Sequence, residues 1–402
     1  MCPAGWVILG EALARAESPI TARKPLYHRP QRAMTDASTT DSPRLEAARA
    51  SLSAARAARA RGVRPDPEEL RSAYLDLLKL CLCDLACAST VSVGRGQDGL
   101  VWSRELHGDE VRLRSAGMDW PLTGLTMIGL ARLDDLQTCV ESVVRDGVEG
   151  DLIEVGAWRG GASILMRATL DSLDADERTV YVADSFQGFP PGDGAADPRV
   201  GDLSTFDFLA VPVDEVRANF ARLGYERGVT FVPGFFEETM PGLTGRRWSL
   251  IRLDGDTYAA TRLALRCLYP GLSVGGHLVV DDYGSLDECR RAVDEFRAEH
   301  GIVEPLEEVD FTGARWRRES DTPVEWPTHG GAEPHANGRG AARAVARSEE
   351  RRVPTIHELN LARENEELRA RLAAAEAELG ELRASPLRAP GRWLRRRLGR
   401  LG

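Results

Sequence analysis

Short apolar runs at residues 151–155, 179–184, 229–233, 248–254 and 277–281 alternate with stretches of helical periodicity at about 161–172, 213–223, 258–268 and 286–299. Brief apolar runs separated by segments with apolar positions three and four apart predict strands joined by helices. Such alternation favours parallel strands in a doubly wound sheet, here a Rossmann-like α/β fold. Three helical stretches precede the first strand. From Glu68, residues Leu70, Tyr74, Leu77, Leu78, Cys81, Leu82 and Leu85 fall at helical spacing. A second run covers about Thr126 to Arg145, with Leu130, Leu133, Leu136, Val140 and Val143 on its apolar side. An Ala- and Arg-rich stretch at 45–61 predicts an exposed basic helix, punctuated by Pro65 and Pro67.

These patterns divide the chain. Residues 1–66 read as a disordered arm carrying the basic helix, with Met34 an alternative start, and residues 67–318 as the α/β domain with an N-terminal helical cap. Residues 319–354 have linker composition. Across 355–385, Leu361, Asn365, Leu368, Leu372, Ala375, Leu379 and Leu382 recur in steps of four and three. That heptad predicts a short coiled coil with Asn365 at a core position, and a homo-oligomer built through residues 361–382. So few heptads are equally compatible with a lone charged helix. The tail at 386–402 interleaves Arg388, Arg392, Arg395, Arg396, Arg397 and Arg400 with Trp393, Leu394, Leu398 and Leu401. It suits an anionic membrane surface, an acidic partner such as a neighbouring glycosyltransferase, or open solvent.

The net charge of -10 argues against a nucleic-acid partner. No run reaches the roughly 18 apolar residues of a membrane span. Met1 to Gly10 lacks the basic start of a signal peptide, and none of the seven cysteines forms a C-x-x-C pair. The expected location is the cytoplasm, peripheral at the inner membrane surface if the tail binds there. Cys81, Cys83 and Cys87 are read as a buried thiol cluster, and His277 as a packed strand residue.

Chemistry collects at the carboxyl ends of the strands, where doubly wound sheets bind their ligands. The first strand runs into Glu154, Gly156, Gly160 and Gly161. The spacing is G-x-x-x-G-G rather than the dinucleotide fingerprint. Glu154, with its charge expected to face the crevice, suits a cationic ligand such as S-adenosylmethionine. Asp184 ends the second strand, where a carboxylate can take both ribose hydroxyls. The fourth and fifth strands end in Leu253-Asp254-Gly255-Asp256 and Val280-Asp281-Asp282-Tyr283. If these strands are neighbours, about 4.8 Å apart, Asp254, Asp281 and Asp282 converge as hard oxygen ligands for Mg²⁺ or Mn²⁺. Asp256 is then placed as a general base beside the ion. Residues 187–212 are candidates for a lid, with Asp202 in it touching a substrate or capping a turn.

With Tyr74 to Lys79, Thr126-Met127-Ile128-Gly129, Val216 to Phe220 and Arg290 to Asp294, these motifs resemble the macrocin O-methyltransferase family of sugar-modifying enzymes. The resemblance implies a class I methyltransferase fold, S-adenosylmethionine, a divalent metal and a sugar hydroxyl as acceptor. It makes Asp254, Asp281 and Asp282 metal ligands and Asp256 the base. It places Glu154, Gly156, Trp158, Gly160, Gly161, Asp184, Ser185 and Phe236 around the cofactor, residues 234–236 near the adenine. Catechol-type relatives carry a lysine where this chain has Thr257, which favours Asp256. The other readings are a scaffold with a degenerate core and a dinucleotide-dependent oxidoreductase.

Overall fold

A computed structural model of the chain describes residues 41–60, 66–87, 89–95, 101–190, 204 and 206–326. The coiled coil, the basic tail, most of the linker, the first 40 residues and Asp202 lie outside the described residues. In chain order come α1 (Asp41–Ala60), α2 (Pro67–Leu82), β1 (Thr90–Arg95), β2 (Val101–Leu106), α3 (Val111–Ser115), β3 (Trp120–Pro121) and α4 (Leu130–Arg145). The α/β core follows with β4 (Asp151–Val155), α5 (Gly161–Ser172), β5 (Val180–Asp184), α6 (Val213–Leu223), β6 (Val229–Pro233), the single turn α7 (Phe236–Thr239), β7 (Trp248–Leu253), α8 (Tyr258–Leu268), β8 (Leu272–Val280), α9 (Asp287–Glu299), β9 (Glu307–Glu308) and β10 (Ala314–Arg317).

Seven strands form one sheet in the order β6-β5-β4-β7-β8-β10-β9. The strands β6 to β8 of that order are parallel, while β10 runs antiparallel to β8 and to β9. Alternation within a strand assigns its side chains to two cores. Leu152, Val180, Val182 and Leu250 pack with Leu133, Leu136, Ile164, Leu165, Val216 and Phe220 from α4, α5 and α6. Ile153, Val155, Ile251, Leu253 and Val280 pack on the other face with Leu265, Leu268, Val293 and Phe296 from α8 and α9. Every residue of β7 is buried, as a central parallel strand covered on both faces requires. Strand order reverses between β4 and β7, and this switch point opens the crevice in which the acidic motifs stand.

Several expectations need correcting. The stretch at 45–61 is helical, but Leu45 and Ala48 are buried in the core, so α1 is not an exposed arm. Cys83 is buried, whereas Cys81 and Cys87 are exposed, because α2 turns Cys81 outward and ends before Cys87. The body continues past residue 318: Val324 is buried, and the Arg318 guanidinium binds the carbonyls of Leu272 (2.6 Å) and Thr322 (3.0 Å). A three-stranded antiparallel sheet, β2-β1-β3, lies between α2 and α4 and carries Trp120 to the cleft. His277 is buried in β8, as expected.

Candidate active site

The switch point brings the ends of β4, β7 and β8 to one level. Asp254 N donates to Val155 O (2.8 Å) and Asp281 N to Leu253 O (2.9 Å), so each acidic residue starts where its neighbour strand ends. Above them lies a cleft of about 1310 Å³, its open mouth included. Gly156, Trp158, Asp184, Ser185 and Phe236 line one part, and Asp254, Asp256, Asp281 and Asp282 another. Trp120, Met127, Phe189, Leu209 and Phe311 supply apolar wall.

The turn after β4 is built for close approach. Gly156 has φ +89°, and a Cβ there would lie 1.8 Å from Asp254 O. Trp158 also takes a positive φ of 48°, and Gly160 starts α5 at φ +86°. The strain at Trp158 is held by its neighbours: its ring N–H donates to Phe208 O (2.9 Å) and the Arg159 guanidinium lies 4.1 Å from its ring centroid. Asp184 fixes the same turn. Its Oδ2 accepts from the amides of Ala157 (2.7 Å) and Trp158 (3.1 Å), and its Oδ1 from that of Phe186 (2.7 Å). Burial nevertheless leaves the Asp184 carboxyl above its ordinary pKa.

Glu154 does not face the crevice. Strand alternation turns it into the layer beneath α5, where it is 1% exposed, hydrogen-bonded by Ser163 Oγ and ion-paired with Arg252 Nη1 at 2.6 Å. Burial pushes its carboxyl up to about 7. Gly160 and Gly161 likewise stand outside the cleft lining. Gly161 is instead pressed against Leu125 O, 2.6 Å from where its Cβ would be.

Three carboxylates converge, but not the expected trio: Asp256 stands in the group where Asp281 was expected, because both Asp281 oxygens are held by arginines. Oxygens of Asp254, Asp256 and Asp282 all lie within 4.8 Å of one another. Burial and the neighbouring Asp254 push Asp256 up to about 8. Burial and Asp256 raise Asp282 well above its ordinary value, and burial with Asp281 raises Asp254. Mutual repulsion of this kind is relieved by a proton or a cation. One acceptor stands ready for the latter: Asp282 Oδ2 is buried with no hydrogen-bond partner among the described residues. An all-oxygen donor set suits a hard divalent ion. The fourth aspartate is placed differently. Asp281 Oδ1 is 2.5 Å from Arg252 Nη2, and its Oδ2 accepts from Arg132 Nη1.

Asp256 follows Gly255 with φ +58°, a left-handed conformation that aspartate tolerates better than bulkier residues. The next residue, Thr257, is buried and caps α8, its Oγ1 accepting from Ala260 N (3.2 Å). Thr257 therefore supplies no base.

Sequence reasoning overlooked the two arginines. Arg252 Nη1 also binds Asp254 Oδ2 (2.9 Å), so one guanidinium ties Glu154, Asp254 and Asp281 together. Its signal was present: a lone cation within the apolar run Trp248–Leu253, two residues before Asp254. Arg132 stands in the first turn of α4 beside Leu133. Asp310 and Phe311, which approach from the loop before β10, belong to no periodic element and carry no sequence signal.

Known proteins match much of this chain. A family model described as Macrocin-O-methyltransferase (TylF) matches residues 90–318. The chain is 45% identical over 254 residues to the 8-demethyl-8-(2,3-dimethoxy-alpha-L-rhamnosyl)-tetracenomycin-C 4'-O-methyltransferase of Streptomyces olivaceus, covering 62% of this chain and 94% of that one. It is 41% identical over 251 residues to the mycinamicin III 3''-O-methyltransferase of Micromonospora griseorubida, covering 61% and 96%. Among solved structures, the O-methyltransferase NovP superposes with a TM-score of 0.55 at 39% identity, over 62% of this chain and all (100%) of NovP.

Proposed function

The chain belongs to the macrocin O-methyltransferase family, and from that premise we propose that it methylates a sugar hydroxyl of a glycosylated natural product, using S-adenosylmethionine and a divalent metal ion. The observation that carries the reading is the group Asp254, Asp256 and Asp282, facing one another in the cleft that the Gly156 turn also lines. The sugar acceptor is supported by the Streptomyces olivaceus relative, whose name specifies O-methylation of a rhamnosyl-bearing compound.

We assign the cofactor to the part of the cleft lined by Gly156, Trp158, Asp184, Ser185 and Phe236. Glu154, Gly160 and Gly161 support it from behind, by fixing β4 and the start of α5. S-adenosylmethionine supplies an electrophilic methyl group on a sulfonium. Asp254 and Asp282, with Asp281 once its Oδ2 is released by Arg132, are assigned to the metal, Mg²⁺ or Mn²⁺, which when bound would lower the pKa of the acceptor hydroxyl. Asp256 is the general base. Added positive charge beside it returns its raised carboxyl toward the ionised form. Asp256 would take the proton of the acceptor hydroxyl as that oxygen receives the methyl, the electron pair of the broken C–S bond staying on sulfur as a neutral thioether, and would then release the proton to solvent. Trp120, Met127 and Phe311 give the cleft an apolar wall against which the acceptor's apolar surface would pack.

The test is a two-part assay on the full chain. Calorimetry is expected to show binding of S-adenosylmethionine and none of NAD. Methyl transfer to a panel of glycosides should be abolished by EDTA and restored by Mg²⁺ or Mn²⁺. Transfer that withstands both EDTA and Asp282→Asn overturns the metal assignment.

A further inference from the structure

Arg132 has a fitted slot. Its Nε donates to Asp310 Oδ2 (3.1 Å), its Nη2 to Gly117 O (3.2 Å) and its Nη1 to Asp281 Oδ2. Two glycines keep the slot open. A Cβ on Gly117 would lie 2.4 Å from Arg132 Nη2, and one on Gly313 would lie 3.0 Å from Cδ. The guanidinium carbon also stands 5.8 Å from the ring centroid of Phe311 in the cleft wall.

Charge compensation across the aspartates is uneven. Asp281 meets two guanidinium groups and Asp254 one. Asp256 and Asp282 have none within ion-pair distance among the described residues. Buried carboxylates need a compensating charge when no ion is bound, and that same charge opposes an incoming dication. Arg252 is confined by three partners inside the sheet. Arg132 projects from a helix and has a second carboxylate, Asp310, to keep it.

We propose that Arg132 is the internal counter-cation of this site: it holds Asp281 in the metal-free protein, weakens divalent-ion binding, and couples that binding to the Asp310–Gly313 wall. The wall is physically attached, since Thr312 Oγ1 donates to Asp281 O (2.9 Å) and Asp310 Oδ1 accepts from the amides of Thr312 (2.9 Å) and Gly313 (2.7 Å). The inference rests on the metal assignment above.

The experiment measures Mn²⁺ affinity on the full chain without cofactor or acceptor, reading free Mn²⁺ by electron paramagnetic resonance, and Tm in EDTA. Arg132→Gln should tighten Mn²⁺ binding about ten-fold and lower the metal-free Tm. Asp310→Asn should do the reverse to affinity, weakening it several-fold, because Arg132 is then left to Asp281 while the amide oxygen still caps Thr312 and Gly313. A merely structural Arg132 predicts weakening in both variants. Unchanged or weaker Mn²⁺ binding in a natively folded Arg132→Gln protein overturns the proposal. Should that variant not fold, unchanged or tighter binding by Asp310→Asn overturns it. Absence of Mn²⁺ binding in the unaltered chain rejects the metal assignment itself, and the proposal with it.

Discussion

Arg252 Nη2 lies 2.5 Å from Asp281 Oδ1 while the Nη1 of the same guanidinium bridges Glu154 and Asp254. One side chain from the middle of the sheet thus bridges carboxylates from β4, the end of β7 and the end of β8. Removing it leaves buried charge without a partner, which costs more than the ion pair itself contributes. Arg252→Met is expected to lower unfolding free energy by about 3–5 kcal/mol. Urea denaturation in EDTA measures this, and a loss below about 1 kcal/mol would show that the carboxylates protonate or rearrange at little cost.

Gly156 is required for two separable reasons, its φ of +89° and the 1.8 Å approach of Asp254 O to its missing Cβ. Gly147 shares the first reason only, with φ +63° and nothing within 4 Å. Gly147→Ala should therefore cost about 1 kcal/mol, from backbone strain alone. Gly156→Ala should cost about 3 kcal/mol or more and abolish S-adenosylmethionine binding, because the turn must move away from Asp254. Equal losses for the two variants in denaturation would remove the steric argument.

The α/β core was legible because parallel strands covered on both faces read as unbroken apolar runs, as Trp248–Leu253 does. The acidic cluster was legible because strand ends set its position: once β7 and β8 pair, Asp254 and Asp282 have few places to go. Side-chain direction was less accessible. Glu154 reads as a crevice residue by position, but the period of two turns it inward, toward an arginine whose partnership depends on strand order. The small sheet of β1, β2 and β3 escaped notice because its strands are short and broken by glycine and charge. The packing of α1 escaped because Leu45 and Ala48 are too few to stand out from an Ala- and Arg-rich background.

Asp256 is the carboxylate whose role separates chemistry from binding. Its side chain faces Asp254 and Asp282 and makes no ion pair among the described residues. Asp256→Asn keeps the shape and the left-handed turn, which asparagine also tolerates. Cofactor affinity should stay within about two-fold, while kcat falls about 100-fold or more through loss of the proton acceptor. Stopped assays of methyl transfer at saturating cofactor read this directly. Near-normal kcat would move the base function elsewhere.

His277 gives the fold a pH dependence of its own. Arg315 Nη1 approaches its Nδ1 (3.5 Å), so Nε2–H is the donor to Ser142 Oγ (2.8 Å), and Ser142 passes its own hydroxyl proton to Cys139 O (2.9 Å). That chain of donors fixes the neutral imidazole. Burial, with Arg315 and Arg317 nearby, lowers its pKa to about 4 from an ordinary 6.5. Between these values the unfolded chain holds a proton that the native chain lacks. Stability from this group is therefore complete above about pH 6.5 and is lost as pH falls toward about 4. His277→Gln keeps a donor for Ser142 and removes the titration. Between pH 7 and pH 5 the unaltered chain should lose about 2 kcal/mol more than the variant in chemical denaturation. Parallel pH profiles for the two proteins would show that His277 takes up its proton equally in the native and unfolded states, and that the locked neutral imidazole inferred from Arg315 and Ser142 is wrong.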